Sequence, residues 1–224
     1  MDNDSVATAY TTLDGEHVAE LEIKRSRFIT YLRRVESEPE ARALISELRK
    51  KHFDARHHCS AFLLGPDRTA MRSNDDGEPS GTAGIPMLDA LAKRETSEGR
   101  TDLSDVVAVV VRYFGGILLG AGGLVRAYSE SVSSALDTAP LVRRQRLRIL
   151  GINSDYAAVG RLENDLRAAG VPVLGTDYGP ALATLRVGLN DEGNILAMFY
   201  DRLATLSAGA SNAEDLGTEW VDAR

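Results

Sequence analysis

Residues 111–128 read VRYFGGILLGAGGLVRAY, a stretch that joins a β-strand to a helix through a loop rich in glycine. The run from Val106 to Val111 is almost wholly β-branched, which predicts a central strand buried on both faces. After the loop, Leu124 and Tyr128 lie one helical turn apart and begin an apolar helix face. Glycines allow close backbone approach, and a helix start exposes N–H groups. We therefore expect this segment to bind an anion or the backbone of another chain.

Charged and aromatic side chains at the two ends of the glycine loop favour the anion. Arg112 and Arg126 are suited to phosphate oxygens, and Tyr113 and Phe114 present rings on which bases or guanidinium groups stack. We predict a backbone and arginine site for phosphate, in a nucleic acid or another anion. Its residues are Arg112, Tyr113, Phe114, Gly115, Gly116, Gly120, Gly122, Gly123 and Arg126.

Nucleotide-cofactor motifs do not account for the loop. Gly115 and Gly120 have the spacing of a P-loop, but Ala121 and Gly122 occupy the positions that need lysine and a hydroxyl residue. A dinucleotide fingerprint starting at Gly120 would need a third glycine where the chain has Val125. The sequence thus predicts no cofactor. A purely structural role, in which the glycines let a strand turn tightly into a packed helix, remains open.

Bulk properties set limits on the class of protein. The chain has 224 residues, a formal net charge of −7 and a pI near 5.2, which argues against coating nucleic acid by overall charge. Basic clusters at Lys24–Arg27, Arg33–Arg34, Arg49–Lys51 and Arg143–Arg148 leave room for a local basic stripe. The single cysteine fits a reducing compartment. With no stretch apolar enough for a membrane span, we expect a cytoplasmic protein without a membrane partner.

A second motif, DDGEPSGTAG at residues 75–84, adds a second candidate loop. Its candidate residues are Asp75, Asp76, Gly77, Glu78, Ser80, Gly81 and Thr82. The carboxylates could bind a divalent cation, since hard cations prefer oxygen ligands. The alternative that we favour is a turn at Asp76 and Gly77, followed by a helix N-cap at Ser80 or Thr82.

His57, His58 and Cys59 are adjacent residue types that bind metals, but their geometry argues against it. Three neighbours on an extended strand cannot converge on one ion, and strand alternation places Cys59 with apolar residues. Neither Ser80 nor Ser129 lies in a nucleophile-elbow motif. We therefore predict no metal site and no catalytic residue, and nothing in the sequence requires an enzyme.

Hydrophobic periodicity predicts an α+β protein of two domains. We expect a disordered N-terminus over residues 1–15, an N-terminal domain over residues 16–140 and a C-terminal domain over residues 141–224. Residues 65–84 are expected to form a long loop. The C-terminal part is predicted as β-α-β-β-α-β, the order of a ferredoxin-like domain, with helices at about Tyr156–Ala169 and Asn194–Leu206.

The glycine-loop motif and DDGEPSGTAG together resemble the signature of the IMPACT family, whose bacterial branch is called YigZ. The resemblance covers residues 15–140, with a looser match beyond. It implies an N-terminal β-α-β domain like domain IV of elongation factor G and a ribosomal small-subunit protein, followed by a ferredoxin-like domain. Eukaryotic members act in translational control and carry an extra N-terminal domain, and bacterial members often have a basic residue where this chain has Leu118.

Three functions follow as hypotheses. The first is a non-enzymatic, translation-related regulator that binds RNA or the ribosome through Arg112, Arg126 and the loop amides. The second is a regulator that docks a translation factor or another protein on Tyr113 and Phe114. The third is an enzyme acting on a small phosphorylated metabolite, with a carboxylate of residues 75–78 as its acid or metal ligand.

Overall fold

A computed structural model describes residues 7–209 and 211–223 of the chain. It divides into two compact units, with the boundary between Arg143 and Arg144. The N-terminal unit contains β1 (Ala9–Leu13), β2 (Glu16–Ile23), β3 (Ser26–Arg34), α1 (Glu38–Lys51), β4 (His57–Leu64), β5 (Ala70–Asn74), α2 (Gly84–Ala92), β6 (Val106–Tyr113) and α3 (Ala121–Thr138).

The N-terminal unit is built on one antiparallel sheet with the strand order β2-β3-β6-β4-β5. The central position of β6 explains its β-branched sequence, since both of its faces are covered. Val107, Val109 and Val111 pack in the cluster that contains α1. Val106 and Val110 pack in the cluster that contains α2 and α3. The sheet therefore separates two hydrophobic layers, and the glycine loop follows the end of its central strand.

Two expectations for the N-terminal unit are wrong. Part of the expected disordered N-terminus is β1, where the hydroxyl of Tyr10 donates to Asp105 and Thr12 Oγ1 donates to the Asp105 carbonyl at 3.1 Å. Residues 1–6 lie outside the described residues. Part of the expected long loop is β5, which pairs antiparallel with β4. It was missed because this edge strand is mostly exposed and its residues do not alternate in polarity.

The C-terminal unit follows the predicted element order. Its elements are β7 (Leu141–Ser154), α4 (Tyr156–Ala168), β8 (Val173–Tyr178), β9 (Ala183–Asn190), α5 (Gly193–Leu206) and β10 (Ala213–Ala223). The strands lie in the order β10-β7-β9-β8. Leu162 and Leu166 of α4 and Phe199 and Leu203 of α5 are buried in one cluster with β7 and β9. The whole chain is thus an α+β protein, as predicted.

Across the part of the chain that the structure covers, every helix is too short or too polar to cross a membrane.

Candidate nucleic-acid interface

The glycine loop packs against the turn of the β2–β3 hairpin. A Cβ atom on Gly115 would lie 2.0 Å from both the carbonyl carbon and the carbonyl oxygen of Arg25, so only glycine fits this contact. The Gly115 N–H donates to Ser26 Oγ at 3.2 Å. In the turn itself, Lys24 and Arg25 have left-handed backbone conformations with φ of 47° and 62°. This approach places two exposed cationic residues beside the loop.

The remaining loop glycines lead into α3. Gly116 and Gly120 have positive φ angles of 84° and 70°, and the Leu124 N–H donates to the Gly120 carbonyl at 2.9 Å, closing the first turn of the helix. Gly122 and Gly123 belong to that first turn. The expectation of a helix N-terminus directly after a glycine loop is confirmed.

Arg112 does not face solvent as the phosphate hypothesis requires. Its side chain is buried, and Nη1 donates to Glu78 Oε1 at 2.5 Å. The same carboxylate oxygen accepts from the Tyr128 hydroxyl at 2.8 Å. The Arg112 guanidinium also lies 5.4 Å from the centre of the Phe28 ring. Arg112 is therefore held by partners inside the protein, and direct binding of phosphate by Arg112 stays a prediction.

Cys59 belongs to the same buried network. Its thiol donates to the Asp75 carbonyl at 3.0 Å and lies 3.3 Å from the Tyr128 hydroxyl. Burial raises the pKa of the Cys59 thiol to about 12, and it also raises the pKa of Tyr128. A thiol held protonated in this way is a poor nucleophile, which fits a packing role for Cys59.

The carboxylates of residues 75–84 bind the protein itself rather than a cation. Asp75 accepts backbone N–H groups of Gly81, Ala83 and Gly84 at 2.8, 3.0 and 2.8 Å. Asp76 Oδ1 lies 2.5 Å from Arg49 Nη2. With Glu78 paired to Arg112, all three carboxylates have internal partners. The described residues contain no group of three or more His, Cys, Asp or Glu side chains able to hold a metal ion.

The start of α2 is capped differently from the prediction. Neither Ser80 nor Thr82 is the N-cap residue: Ala83 holds that position, and the Thr82 hydroxyl donates to the Pro79 carbonyl at 2.7 Å. The carboxylate of Asp75 instead reaches the first N–H groups of the helix. A carboxylate there satisfies orphan donors and complements the helix dipole. The turn at Asp76 and Gly77 is present, with φ of 44° and 84°.

Acid should weaken this cap. Burial alone would raise the pKa of Asp75, but three backbone donors hold it below its ordinary value. A depressed folded-state pKa stabilises the fold above the ordinary carboxyl pKa of about 4, and the stabilisation is lost as the pH falls through the folded value. We expect Asp75→Asn to lower the free energy of unfolding at pH 7 by about 1–3 kcal/mol, and by less at pH 3. Urea unfolding at both pH values measures this.

The matched control is Asp89→Asn, which changes an exposed carboxylate of α2 that pairs with Lys93 at 2.7 Å. Its effect should be small at pH 7. An Asp75→Asn variant with the same loss of stability at both pH values would contradict the role of the carboxylate charge.

Two aromatic side chains at the end of β6 are flanked by cations. The Arg27 guanidinium lies 5.1 Å from the centre of the Tyr113 ring, and the Arg56 guanidinium lies 5.8 Å from that of Phe114. The Tyr113 hydroxyl donates to Asp54 at 3.1 Å. Phe114 is 39% exposed. These pairs place flat, positively charged surfaces at the end of the sheet.

We call this surface the basic–aromatic rim. It consists of Lys24, Arg25, Arg27, Arg56, Tyr113 and Phe114. All four cationic residues are exposed. Arg27 pairs with Glu20 at 3.1 Å. Among the residues whose structure is described, no carboxylate lies within ion-pair distance of Lys24, Arg25 or Arg56. The basic turn at Lys24–Arg27 was visible in the sequence, but its place beside the glycine loop was not.

Beside the rim lies a cleft of about 320 Å³. Its lining includes Arg56, Glu78, Phe114, Leu118 and Gly120. The two signature motifs therefore meet, since Glu78 comes from one and Phe114 and Gly120 come from the other. Arg126 does not line this cleft and is exposed on α3. Arg112 also lines the cleft, so only one of the two predicted arginines belongs to its wall.

The fold and this surface define an α+β protein of two units with a basic, aromatic-rich rim around a glycine loop. The Impact N-terminal domain family matches residues 24–136. The IMPACT family member YvyE of Bacillus subtilis is 50% identical over 153 residues, 68% of this chain and 66% of that protein. The IMPACT family member YigZ of Escherichia coli is 39% identical over 191 residues, 84% of this chain and 89% of that protein.

A crystal structure described as that of a hypothetical protein superimposes with a TM-score of 0.61 at 35% identity, covering 95% of this chain and 99% of the other. The chain belongs to the IMPACT family. The resemblance noted from its two motifs is thereby confirmed.

Proposed function

We propose that this protein is a non-enzymatic regulator in translation that binds RNA or the ribosome through the basic–aromatic rim. The observation that carries the proposal is the position of three exposed cations, Lys24, Arg25 and Arg56, beside the exposed ring of Phe114; none of the three has a carboxylate at ion-pair distance within the described part of the chain. Cationic side chains bind backbone phosphates, and aromatic rings stack on unpaired bases. The two kinds of group together match single-stranded RNA.

A local rim suffices even though the chain is acidic overall. At physiological ionic strength, charges separated by more than about 8 Å of solvent are largely screened, so the carboxylates of distant surfaces matter little to a bound phosphate. The exposed glycine residues Gly116, Gly120 and Gly122 at the start of α3 add backbone N–H groups next to the rim. Arg126 extends the basic surface onto α3 in this proposal.

We also propose a fold type for the C-terminal unit and a cellular location for the protein. The order β-α-β-β-α-β with strands β10-β7-β9-β8 supports a ferredoxin-like C-terminal unit. A likeness of the two units to domains IV and V of elongation factor G would suit a protein that contacts the ribosome. Membership of the IMPACT family supports a role in translation, and such a role places the protein in the cytoplasm.

Removing two rim cations should reduce the salt dependence of RNA binding. Each phosphate contact with single-stranded RNA contributes about 0.7 to the slope of log K against log salt. The double variant Lys24→Gln plus Arg56→Gln should therefore bind more weakly at low salt, with a slope shallower by about 1.4. Fluorescence anisotropy with a labelled single-stranded RNA at several salt concentrations measures both values.

A second double variant of equal charge serves as the control. It combines Lys93→Gln and Arg161→Gln, which remove an exposed lysine on α2 and an exposed arginine on α4. Its slope should equal that of the parent protein. If both double variants reduce the slope equally, the binding is non-specific and the rim is not the site.

A second function is favoured by the apolar tip of the glycine loop. Leu118 is 83% exposed and Ile117 40% exposed, and as neighbours they offer a partner one apolar surface at the tip of the loop. Binding of a regulatory protein to this tip should be abolished by Leu118→Ser, but it should survive nuclease treatment and high salt. Affinity purification with and without nuclease separates this function from RNA binding.

A further inference from the structure

A trough lined by arginines lies between α1 and the β4–β5 edge of the sheet, and it shares no lining residue with the cleft beside the rim. Its volume is about 370 Å³. The lining, which we call the arginine trough, consists of Arg42, Ile45, Ser46, Arg49, Ser60, Phe62, Arg72, Ser73 and Asn74. No carboxylate belongs to it.

The arrangement follows from the periodicity of the elements. Arg42 and Arg49 are seven residues apart on α1, so they project from one helix face, with Ser46 between them. Ser60 and Phe62 are alternate residues of β4 and form the floor. Their register partners on β5 are Asn74 and Arg72. Strand β5 is at the edge of the sheet, so no further strand lies beside it. Helix α1 forms one wall of the trough and the β4–β5 edge of the sheet forms the other.

The three guanidinium groups keep free hydrogen-bond donors. Arg42 uses Nε and Nη2 for Glu38, Arg49 uses Nη2 for Asp76, and Arg72 uses Nη1 for the Met71 carbonyl at 2.9 Å. Each guanidinium has five N–H donors, so each retains several. Within the described ranges, Arg72 has no carboxylate at ion-pair distance. Arg42 and Arg49 are balanced by Glu38 and Asp76, so the net positive charge of the trough comes from Arg72, while all three guanidinium groups keep unused donors.

A hydroxyl on the floor of the trough is also available to a ligand. Ser60 is only 5% exposed, and no hydrogen bond of its hydroxyl occurs among the described residues. Its Oγ atom is not one of the fully buried atoms that lack a partner, so solvent or a ligand in the trough reaches it. Oxygen atoms of an anion seated between the arginines would accept from Ser60 below and from the guanidinium groups at the sides.

We infer that the arginine trough binds a small phosphorylated ligand through a dianionic phosphate or a diphosphate group. Guanidinium groups match phosphate oxygens in charge and in planar donor geometry, and serine hydroxyls add neutral donors. The apolar side chains Ile45 and Phe62 offer a surface for the rest of the ligand. This site is independent of the rim, and it would stand even if the rim bound no RNA.

Isothermal titration of inorganic pyrophosphate into the full chain tests the inference. We expect saturable binding of one equivalent. Arg72→Gln should raise the Kd about tenfold, and Ser60→Ala about fivefold, because they remove a charged and a neutral donor respectively. Arg161→Gln, which changes an exposed arginine of the C-terminal unit, should leave the Kd unchanged. Thermal unfolding of each variant verifies that it is folded.

Three results would overturn the inference. One is no binding of pyrophosphate by the parent protein at millimolar concentration. Another is equal affinity of Arg72→Gln, Ser60→Ala and the parent protein. The third is displacement of pyrophosphate by an oligoribonucleotide without terminal phosphates, in a manner that depends on Arg72, since the trough would then bind the RNA backbone instead. If the rim variants lost RNA binding but still bound pyrophosphate, the inference about the trough would stand.

Discussion

Glu78→Ala is expected to lower the free energy of unfolding of the N-terminal unit by about 3–5 kcal/mol. The substitution removes the partner of a buried guanidinium, since Arg112 is 5% exposed and the Glu78 side chain 4% exposed. It also leaves the buried Tyr128 hydroxyl without its acceptor. An uncompensated buried charge is among the most destabilising changes that a single substitution makes. Hydrogen exchange of β6 amides across a urea series measures the loss.

Two controls separate charge from packing. Glu20→Ala breaks the exposed pair with Arg27, in which both side chains are about half exposed, and it should cost about 1 kcal/mol or less. The double variant Glu78→Leu plus Arg112→Met removes both charges while keeping apolar volume, and it should recover much of the stability lost in Glu78→Ala. Equal losses for Glu78→Ala and Glu20→Ala would show that the buried pair does not support the glycine loop.

Gly115→Ala is expected to lower the melting temperature of the protein by about 6–12 °C, which corresponds to about 3 kcal/mol. The added Cβ would overlap the backbone of Arg25 at 2.0 Å, and a backbone atom cannot turn away as a side chain can. The loop must therefore separate from the β2–β3 hairpin. Because this contact brings Lys24 and Arg25 next to Phe114, RNA affinity should fall as well.

Gly122→Ala is the matched control in the same motif. A Cβ on Gly122 meets nothing within 4 Å, and the residue already lies in the first turn of α3. Alanine favours helix over glycine by up to about 1 kcal/mol, so this variant should melt at the same temperature or slightly higher. Differential scanning calorimetry compares the two variants. If Gly115→Ala melted like Gly122→Ala, the close approach between loop and hairpin would not exist in solution.

The sequence predicted an element correctly where its local pattern of apolar and β-branched residues was strong. The β-branched run of β6 and the apolar spacing of α3 predicted a central strand and a packed helix, and both are present. The strand β5 was missed because AMRSN shows neither alternation nor β-branched residues, and its pairing with β4 provides the stability. Local sequence patterns do not report such long-range pairing.

The candidate site shows the same division. Residues of both motifs line one cleft, an adjacency that the sequence alone did not show; Phe114 lies in its wall, and Tyr113 lies beside the exposed Arg27. The burial of Arg112 was not predicted, because an arginine at the end of a strand usually reaches solvent. Here Glu78, brought in from another loop, holds it beneath the surface. The exposed cations beside the glycine loop come instead from the basic turn at Lys24–Arg27.

Residue order alone decided the α+β class, the element order of the C-terminal unit and the presence of a strand, a glycine loop and a helix in succession. Those features depend on side-chain periodicity and on backbone freedom, which act over a few residues. Three-dimensional packing decided which cations face solvent, which carboxylates form ion pairs or hydrogen bonds within the protein, and where the arginines of α1 and β5 come together. Burial and charge pairing depend on residues far apart in the chain, so they exist only in the folded molecule.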